Sequence, residues 1–245
     1  MKLSFLTGCM NRLSHLQTTY LANIENSKAT KNCSVEFVLL NYNSEDNLDT
    51  WVNQNIRPLP IDFKYLKTNK PKFYSPSIVK NILGKSATGD LLCWLDADNF
   101  TYDGFVDYIH EIFYLNKNQI VNVSWSEKAA GTLGRVICSK KHFLKVRGYD
   151  ESFTGWGYED VDFVERVKRL GCKRIELNKK YASAIQHSEK DRVSKYNPIY
   201  VKRISENDPN ANMKYESNLL NFHKSKKNLN ANKIVANLKP SWGLL

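Results

Sequence analysis

A mostly parallel, doubly wound α/β sheet is the fold this sequence predicts, and three observations predict it. Short apolar runs alternate with segments of helical periodicity over residues 1–100. One run, Leu91-Leu92-Cys93-Trp94-Leu95, is continuously apolar, as a strand covered on both faces must be. Polar residues suited to holding a ligand, namely Asn11, Asn41, Asp96 and Asp98, fall just beyond the ends of three such runs. Open α/β sheets bind ligands at the carboxyl ends of their strands.

The elements follow in order. Leu3-Ser4-Phe5-Leu6 reads as a buried strand that ends at Thr7-Gly8 and a polar turn holding Asn11-Arg12. A helix follows to about Asn23. Residues 35–40, rich in β-branched and aromatic side chains, form a second strand that stops at Asn41-Tyr42-Asn43-Ser44. Glu45-Asp46 opens a helix through Trp51, and 63–66 is a short third strand. Ser75-Pro76-Ser77 starts a helix with proline in its first turn; Ile78, Ile82 and Leu83 keep helical spacing, and Gly89 stops it. The second half is less regular. Strands are expected at 120–125, 133–138, 173–177 and 181–185, and a helix at 159–170 with Val161, Val164, Val167 and Leu170 as its apolar stripe. From Lys195 onward the chain is polar and basic. Lys224, Lys226, Lys227, Lys233 and Lys239 have no acidic residue among them. The expected organisation is a body over 1–192 followed by a basic, partly helical extension over 193–245.

A chain of 245 residues, 42% hydrophobic and 25% charged, has ordinary globular composition. Its formal charge of +11 favours anionic partners such as nucleotides, nucleic acid or an acidic membrane surface. Cys9, Cys33, Cys93, Cys138 and Cys172 are scattered, odd in number and without a CxxC pair, which argues against a disulfide framework or a zinc site. A reducing compartment fits that usage. The first apolar run is too short for a signal peptide, and no long apolar stretch follows. A cytoplasmic protein, at most peripheral to a membrane, is expected.

Three constellations carry chemistry. Asp96-Ala97-Asp98 ends the buried run, so two carboxylates at a ligand-facing edge can hold a hard divalent cation. The plainer role of such residues is to cap a turn. Gly155-Trp156-Gly157-Tyr158-Glu159-Asp160-Val161-Asp162 is the second. Two glycines around a tryptophan predict a loop whose backbone approaches something closely. The indole is a flat face for a sugar ring. Glu159 and Asp160 suit a helix N-terminus electrostatically, and a carboxylate there can also serve as a general base. The third is His187, just beyond the last expected strand, followed by the charged loop Ser188-Glu189-Lys190-Asp191-Arg192. Charged loops of this kind act as lids.

Together these residues resemble the GT-A glycosyltransferases, in particular family 2. The stretch from Ser77-Ile78-Val79-Lys80-Asn81 through Gly89-Asp90 to Leu95-Asp96-Ala97-Asp98 resembles the family's S-x-A-R-N-x-G…G-D…L-D-A-D signature. Residues 131–177 resemble the segment shared by β-1,4-galactosyltransferases and polypeptide N-acetylgalactosaminyltransferases, whose hallmark is G-W-G-x-E-D, and Gln186-His187-Ser188 resembles the galactosyltransferases' metal-binding histidine. The resemblance runs from Leu3 to Arg192. It implies a single GT-A domain over 1–192 with a mixed central sheet, a nucleotide-sugar half at 1–100 and an acceptor and catalytic half at 101–192. It implies Mn2+, or Mg2+, on Asp98 and His187 with Asp96 beside it. It implies Asp160 as catalytic base, Glu159 orienting the acceptor, and Trp156 with Gly157 against the sugars. Thr7, Arg12, Asn41, Lys80, Asn81 and Asp96 lie on the donor side, and Lys190 and Arg192 serve as lid residues over the phosphates. The implied reaction is inverting transfer of a hexose or N-acetylhexosamine, galactose or N-acetylgalactosamine favoured, from a UDP-sugar to a hydroxyl of a glycan or lipid-linked glycan. Apart from the resemblance, the expected cytoplasmic location and the Asn- and Lys-rich composition point to bacterial surface polysaccharide synthesis as the setting. Two departures stand out. Asn41-Tyr42-Asn43-Ser44 replaces the usual D-D-G-S, leaving the base open, and Lys80 replaces an arginine, keeping the charge but losing the planar fork.

Two other function classes fit parts of the sequence. A nucleotidyltransferase also puts acidic residues on an α/β sheet, but Thr7-Gly8-Cys9-Met10-Asn11-Arg12 is not a glycine-rich phosphate loop. A non-enzymatic basic protein fits the charge, yet no nucleic-acid motif is present and the basic residues are spread out except in the tail, so no nucleic-acid partner is expected. Two readings of the tail stay open: an ordinary solvated helix with no partner, or peripheral contact with an anionic membrane that carries a lipid-linked acceptor.

Overall fold

The computed structural model describes residues 1–124, 131–186 and 188–244. The chain begins at the centre of its sheet. Strand β1 (Lys2–Cys9) is buried on both faces, pairing in parallel with β2 (Ser34–Tyr42) on one side and β4 (Leu91–Trp94) on the other. Beyond β2 lies β3 (Asp62–Thr68), also parallel. The crossovers are α1 (Leu13–Ser27), α2 (Leu48–Asn55) and α3 (Pro76–Ser86). This is the doubly wound half expected from the sequence.

After β4 the pattern changes. A short strand β5 (Asn99–Phe100) leads to α4 (Phe105–Leu115), then β6 (Gln119–Asn122) and β7 (Val136–Ser139). β7 is antiparallel to both β4 and β6, and β8 (Lys173–Glu176) closes the edge parallel to β6. The seven-stranded order is β3-β2-β1-β4-β7-β6-β8, and the sheet is mixed, as expected. Helices α5 (Lys140–Lys145) and α6 (Glu159–Lys168) follow β7. The strand expected at 181–185 is instead a 3-10 turn, Lys179–Tyr181, and a two-residue strand β9 (Ser183–Ala184), because its partner β5 is equally short. Trp125, the expected end of the 120–125 strand, lies outside the described residues.

Two apolar layers cover the sheet. One holds Phe5, Phe37, Tyr20 and Phe105; the other is centred on Trp94, which meets Phe143, Tyr149 and Phe163 at ring distances of 5.2–5.5 Å. Of the apolar stripe expected on α6, Val164 and Val167 face the core, while Val161 is only partly buried and Phe163 takes its place.

The basic C-terminal segment is packed onto this body. Helix α7 (Glu189–Val193) precedes it, and α8 (Glu216–Asn230) lies against α6. Ser225 Oγ donates to Asp162 Oδ1 at 2.7 Å, while Asp162 Oδ2 accepts from Arg166 Nε at 2.7 Å. Trp242 is buried against Phe143, with the Lys85 ammonium 4.8 Å from its ring centre. No helix among the described residues is long and apolar enough to cross a membrane.

One buried carboxylate on the sheet carries a stability prediction. Glu36 is 1% exposed and accepts from Ser4 Oγ at 2.5 Å, Thr88 N at 2.8 Å and Thr88 Oγ1 at 3.0 Å. Burial alone raises its pKa; these donors outweigh burial and hold it below its ordinary value. A depressed carboxylate stabilises the fold above its unfolded pKa and loses that contribution as pH falls through its folded pKa. Glu36→Gln is expected to cost about 1–3 kcal/mol at neutral pH. It should also flatten the acid limb of stability, as read by urea melts at neutral pH and near pH 4.

Candidate active site

The site forms where β4 runs out. Leu95 N is held by Leu6 O at 3.0 Å, and the chain then turns through Asp96-Ala97-Asp98, with Asn99 N donating to Asp96 O at 3.0 Å. Thr7 Oγ1 donates to Leu95 O at 2.9 Å and so pins the turn from the neighbouring strand. The two carboxylates therefore stand on the carboxyl edge of the sheet, as the sequence predicts.

Lys80 arrives from α3, four residues past the proline that starts the helix. It is 6% exposed, and its Nζ donates to Asp160 Oδ1 at 2.5 Å and to Glu159 Oε1 at 3.2 Å. Its carbonyl accepts from the Trp94 indole at 3.0 Å, which ties α3 to the strand carrying Asp96. Glu159 and Asp160 open α6, reached through Tyr158, whose φ of 71° turns the chain sharply into the helix. Gly134 completes the geometry. A Cβ there would lie 2.6 Å from Asp96 Oδ2 and 3.6 Å from Asp160 Oδ2. Both carboxylates come close to Gly134, and a side chain there would have to push the Asp96 carboxyl aside.

These groups line a cavity of about 480 Å3 together with Asp98 and Trp156. Its electrostatics are unbalanced. Burial pushes Asp96 up to about 6, opposed by Lys80 and reinforced by the charges of Asp98 and Glu159. Burial likewise raises Asp160 against the pull of Lys80. Burial disfavours the Lys80 ammonium, yet Asp160, Glu159 and Asp96 together keep it charged. Asp96, Asp98, Glu159 and Asp160 lie around the Lys80 ammonium, with Arg135 buried behind them and Arg12, Arg192 and Lys195 elsewhere on the cavity lining. Excess negative charge in a buried site is relieved by a proton or by a bound cation.

Hard oxygen donors of this kind fit a divalent metal, and Asp96 with Asp98 is the pair that would hold it. Among the described residues no three His, Cys, Asp or Glu side chains converge into a metal cage. The remaining ligand implied by the resemblance, His187, lies outside the described residues.

The other sequence-derived residues divide into two groups. Arg12, Gly157 and Arg192 line the cavity; Arg12 Nη2 donates to Asp191 O, joining the start of α1 to the charged loop. Thr7, Asn41 and Asn81 do not reach it. Asn41 is buried, donating to Asp49 Oδ1 at 2.9 Å and accepting from Ser44 N at 2.8 Å. Asn81 braces Tyr149, donating to its carbonyl at 2.8 Å and accepting from its N–H at 2.7 Å. Lys190 is exposed and stands off the cavity lining.

The Gly-Trp-Gly loop does approach something closely, but it is α8. A Cβ on Gly155 (φ 65°) would meet Ser217 at 2.7 Å, and one on Gly157 (φ 103°) would meet Asn218 at 2.6 Å. Lys195, Tyr74 and Tyr196 also line the cavity and were not anticipated; Tyr74 N donates to Lys195 O at 2.8 Å. Gly134 had a usable signal, since a lone glycine inside an expected strand marks a bulge or close approach. Gly134→Ala is expected to displace the Asp96 carboxylate. A displacement near 1 Å costs on the order of 10²-fold in turnover; an unchanged melting temperature with weakened metal–nucleotide binding is the expected result.

The architecture matches solved proteins of one kind. S. aureus TarS 1-349 in complex with UDP-GlcNAc superposes with a TM-score of 0.61 at 12% identity, covering 77% of this chain and 60% of that one. The mannosyltransferase PcManGT from Pyrobaculum calidifontis, in complex with GDP-Man and Mn2+, gives 0.64 at 12% identity, with 76% and 58% covered. GalNAc-T7 with UDP, GalNAc and Mn2+ gives 0.65 at 14% identity, with 77% and 44% covered. The chain has the GT-A glycosyltransferase fold. Within it, residues 113–200 match the family model described as the N-terminal domain of galactosyltransferase. That stretch carries Gly134, Trp156, Glu159, Asp160 and Arg192, and so most of the second half of this GT-A site. The chain spans about three-fifths of the length of the TarS structure. No curated protein matches it in sequence.

Proposed function

We propose that this GT-A protein is an inverting, metal-dependent glycosyltransferase that moves a sugar from a nucleotide-diphosphate donor to an acceptor hydroxyl. The observation that carries the reading is the cluster of Asp96, Asp98, Lys80, Glu159 and Asp160 around one cavity at the carboxyl edge of β4. Asp160, raised by burial, suits a general base that must take a hydroxyl proton near neutral pH. Lys80 holds that carboxylate in place and Glu159 beside it, ready to orient the acceptor. Arg12, Arg192 and Lys195 supply positive charge for the diphosphate. A divalent cation bound by Asp96 and Asp98, with His187 as a further ligand, would act as a Lewis acid on the leaving diphosphate.

The galactosyltransferase-like segment favours UDP as the nucleotide and galactose or N-acetylgalactosamine as the sugar, with a glycan or lipid-linked glycan as acceptor. Work on a cytoplasmic face in surface polysaccharide synthesis is part of this proposal. Calorimetric titration of UDP, GDP, CDP and dTDP, each with Mn2+ and with EDTA, tests it. UDP binding that needs Mn2+ supports it; selective binding of another nucleotide redirects the donor; binding of none defeats the enzymatic reading.

The basic segment is proposed to touch an anionic membrane peripherally. Lys224 is turned inward, donating to Ser152 O at 2.8 Å, which leaves Lys226, Lys227, Lys233 and Lys239 for that role. Flotation with anionic liposomes is expected to retain the protein, and reversal of those four lysines to glutamate is expected to release it.

A further inference from the structure

The segment after α8 is clamped to the chain that leaves α5. Ala236 N donates to Val146 O at 3.0 Å. Asn237 Nδ2 donates to Arg147 O at 2.7 Å, and its Oδ1 accepts from Glu151 N at 2.9 Å. Arg147 donates in return, from Nε to Asn237 O at 2.6 Å and from Nη2 to Lys239 O at 2.8 Å. Trp242 is buried beside this clamp, against Phe143 and within reach of the Lys85 and Arg147 cations.

Leu238 lies between two residues held in this way, yet it is 83% exposed. Val235 on the same segment is 42% exposed, and Leu144 on the last turn of α5 is 44% exposed. A single exposed leucine is ordinary. Here three apolar side chains turn outward from two segments that hydrogen bonds hold side by side. Exposed lysines accompany them: Lys141 and Lys145 on α5, and Lys233 and Lys239 on the C-terminal segment. No acidic residue occurs between Lys140 and Tyr149, or from Ser217 to the end of the chain.

This face combines apolar side chains with uncompensated positive charge. A second copy of the chain would bring the same charge against it. An anionic bilayer complements both features, since the acyl boundary takes the leucines and the headgroups take the ammonium groups. The backbone that presents Leu238 is already fixed, so little ordering is needed for insertion. None of these residues lines the active-site cavity, so contact through them leaves the cavity lining untouched. Resting on the peripheral membrane contact proposed above, we infer that Leu144, Val235 and Leu238 insert into an anionic lipid surface, with α5 and the C-terminal segment forming one docking face.

The experiment uses the full chain and vesicles of phosphatidylcholine with and without phosphatidylglycerol. Binding is measured by flotation at low and high salt. The wild-type chain is expected to bind the anionic vesicles, and less of it to bind at high salt. The double variant Leu144→Ser with Leu238→Ser is expected to bind about tenfold more weakly, from the loss of two inserted side chains. Its melting temperature should stay at the wild-type value, because both positions are exposed. Leu115→Ser, equally exposed on α4, is the control and should bind as the wild type does. All five cysteines are buried, so Leu238→Cys can carry a thiol-directed, environment-sensitive fluorophore. Its emission should shift to the blue on anionic vesicles, and that of a label at Leu115→Cys should not. Wild-type binding in the double variant, or no shift at position 238, overturns the inference while leaving lysine-driven peripheral contact standing. A wild-type chain that ignores anionic vesicles defeats both. Self-association that the double variant abolishes, without vesicle binding, assigns the face to a second copy and also overturns it.

Discussion

Asp160→Asn is expected to lower turnover by on the order of 10²–10⁴-fold, the range typical of losing a general base. The measurement is UDP release from UDP-galactose in the presence of Mn2+ and a glycoside acceptor. Asparagine keeps the shape of the side chain and can still accept from Lys80, so the melting temperature and Mn2+-dependent UDP affinity should change little. The physical reason for a large effect is specific to this site. Asp160 is 9% exposed, ion-paired to Lys80 at 2.5 Å, and raised by burial against that pairing. A carboxylate so placed is a stronger base than one in water, and its amide has no basicity to replace it. Turnover near wild type in this variant removes Asp160 from the role and shifts attention to Glu159.

Asp98→Ala is expected to abolish Mn2+-dependent nucleotide binding, read by the same calorimetric titration. EDTA should reproduce the loss in the wild-type chain. Asp98 and Asp96 are the carboxylates at the carboxyl end of β4, and removing one leaves too few hard donors to hold a divalent ion. Proton competition gives an independent check on its neighbour. Asp96 sits up at about 6 in the metal-free protein because burial, Asp98 and Glu159 outweigh Lys80. Its proton must leave before a cation binds, so affinity should fall as pH drops through about 6 and level off above it. Affinity in Asp98→Ala equal to wild type places the cation elsewhere.

Much of the site was legible because it lies at element ends. Asp96 and Asp98 follow a run so apolar that only a doubly covered strand accommodates it, and open sheets expose strand ends to ligands. Glu159 and Asp160 follow a glycine-flanked tryptophan and begin a helix, a pattern visible in eight consecutive residues. Lys80 was legible through its resemblance to a family signature. Asn41 and Asn81 carry the same kind of local signal, yet both are buried, one bonded to Asp49 of α2 and the other to the Tyr149 backbone. Polarity at a strand end or in a helix does not say whether a side chain turns toward solvent or braces the backbone.

Residue order and periodicity by themselves determined the parallel half of the sheet, the strand that ends in two carboxylates, and the helix that begins with two more. Those features depend on local hydrophobic patterning and chain stiffness. Tertiary structure alone decided that β7 runs against its neighbours, that Lys80 bridges to Asp160 across 80 residues of sequence, and that Gly134 lies close to two carboxylates. It also brought α8, which reads as a plain basic helix, onto Gly155 and Gly157 to finish the cavity. Such contacts join residues distant in sequence. They form only when close packing of the whole chain leaves each buried polar group with a partner and each small residue with a neighbour that needs the room.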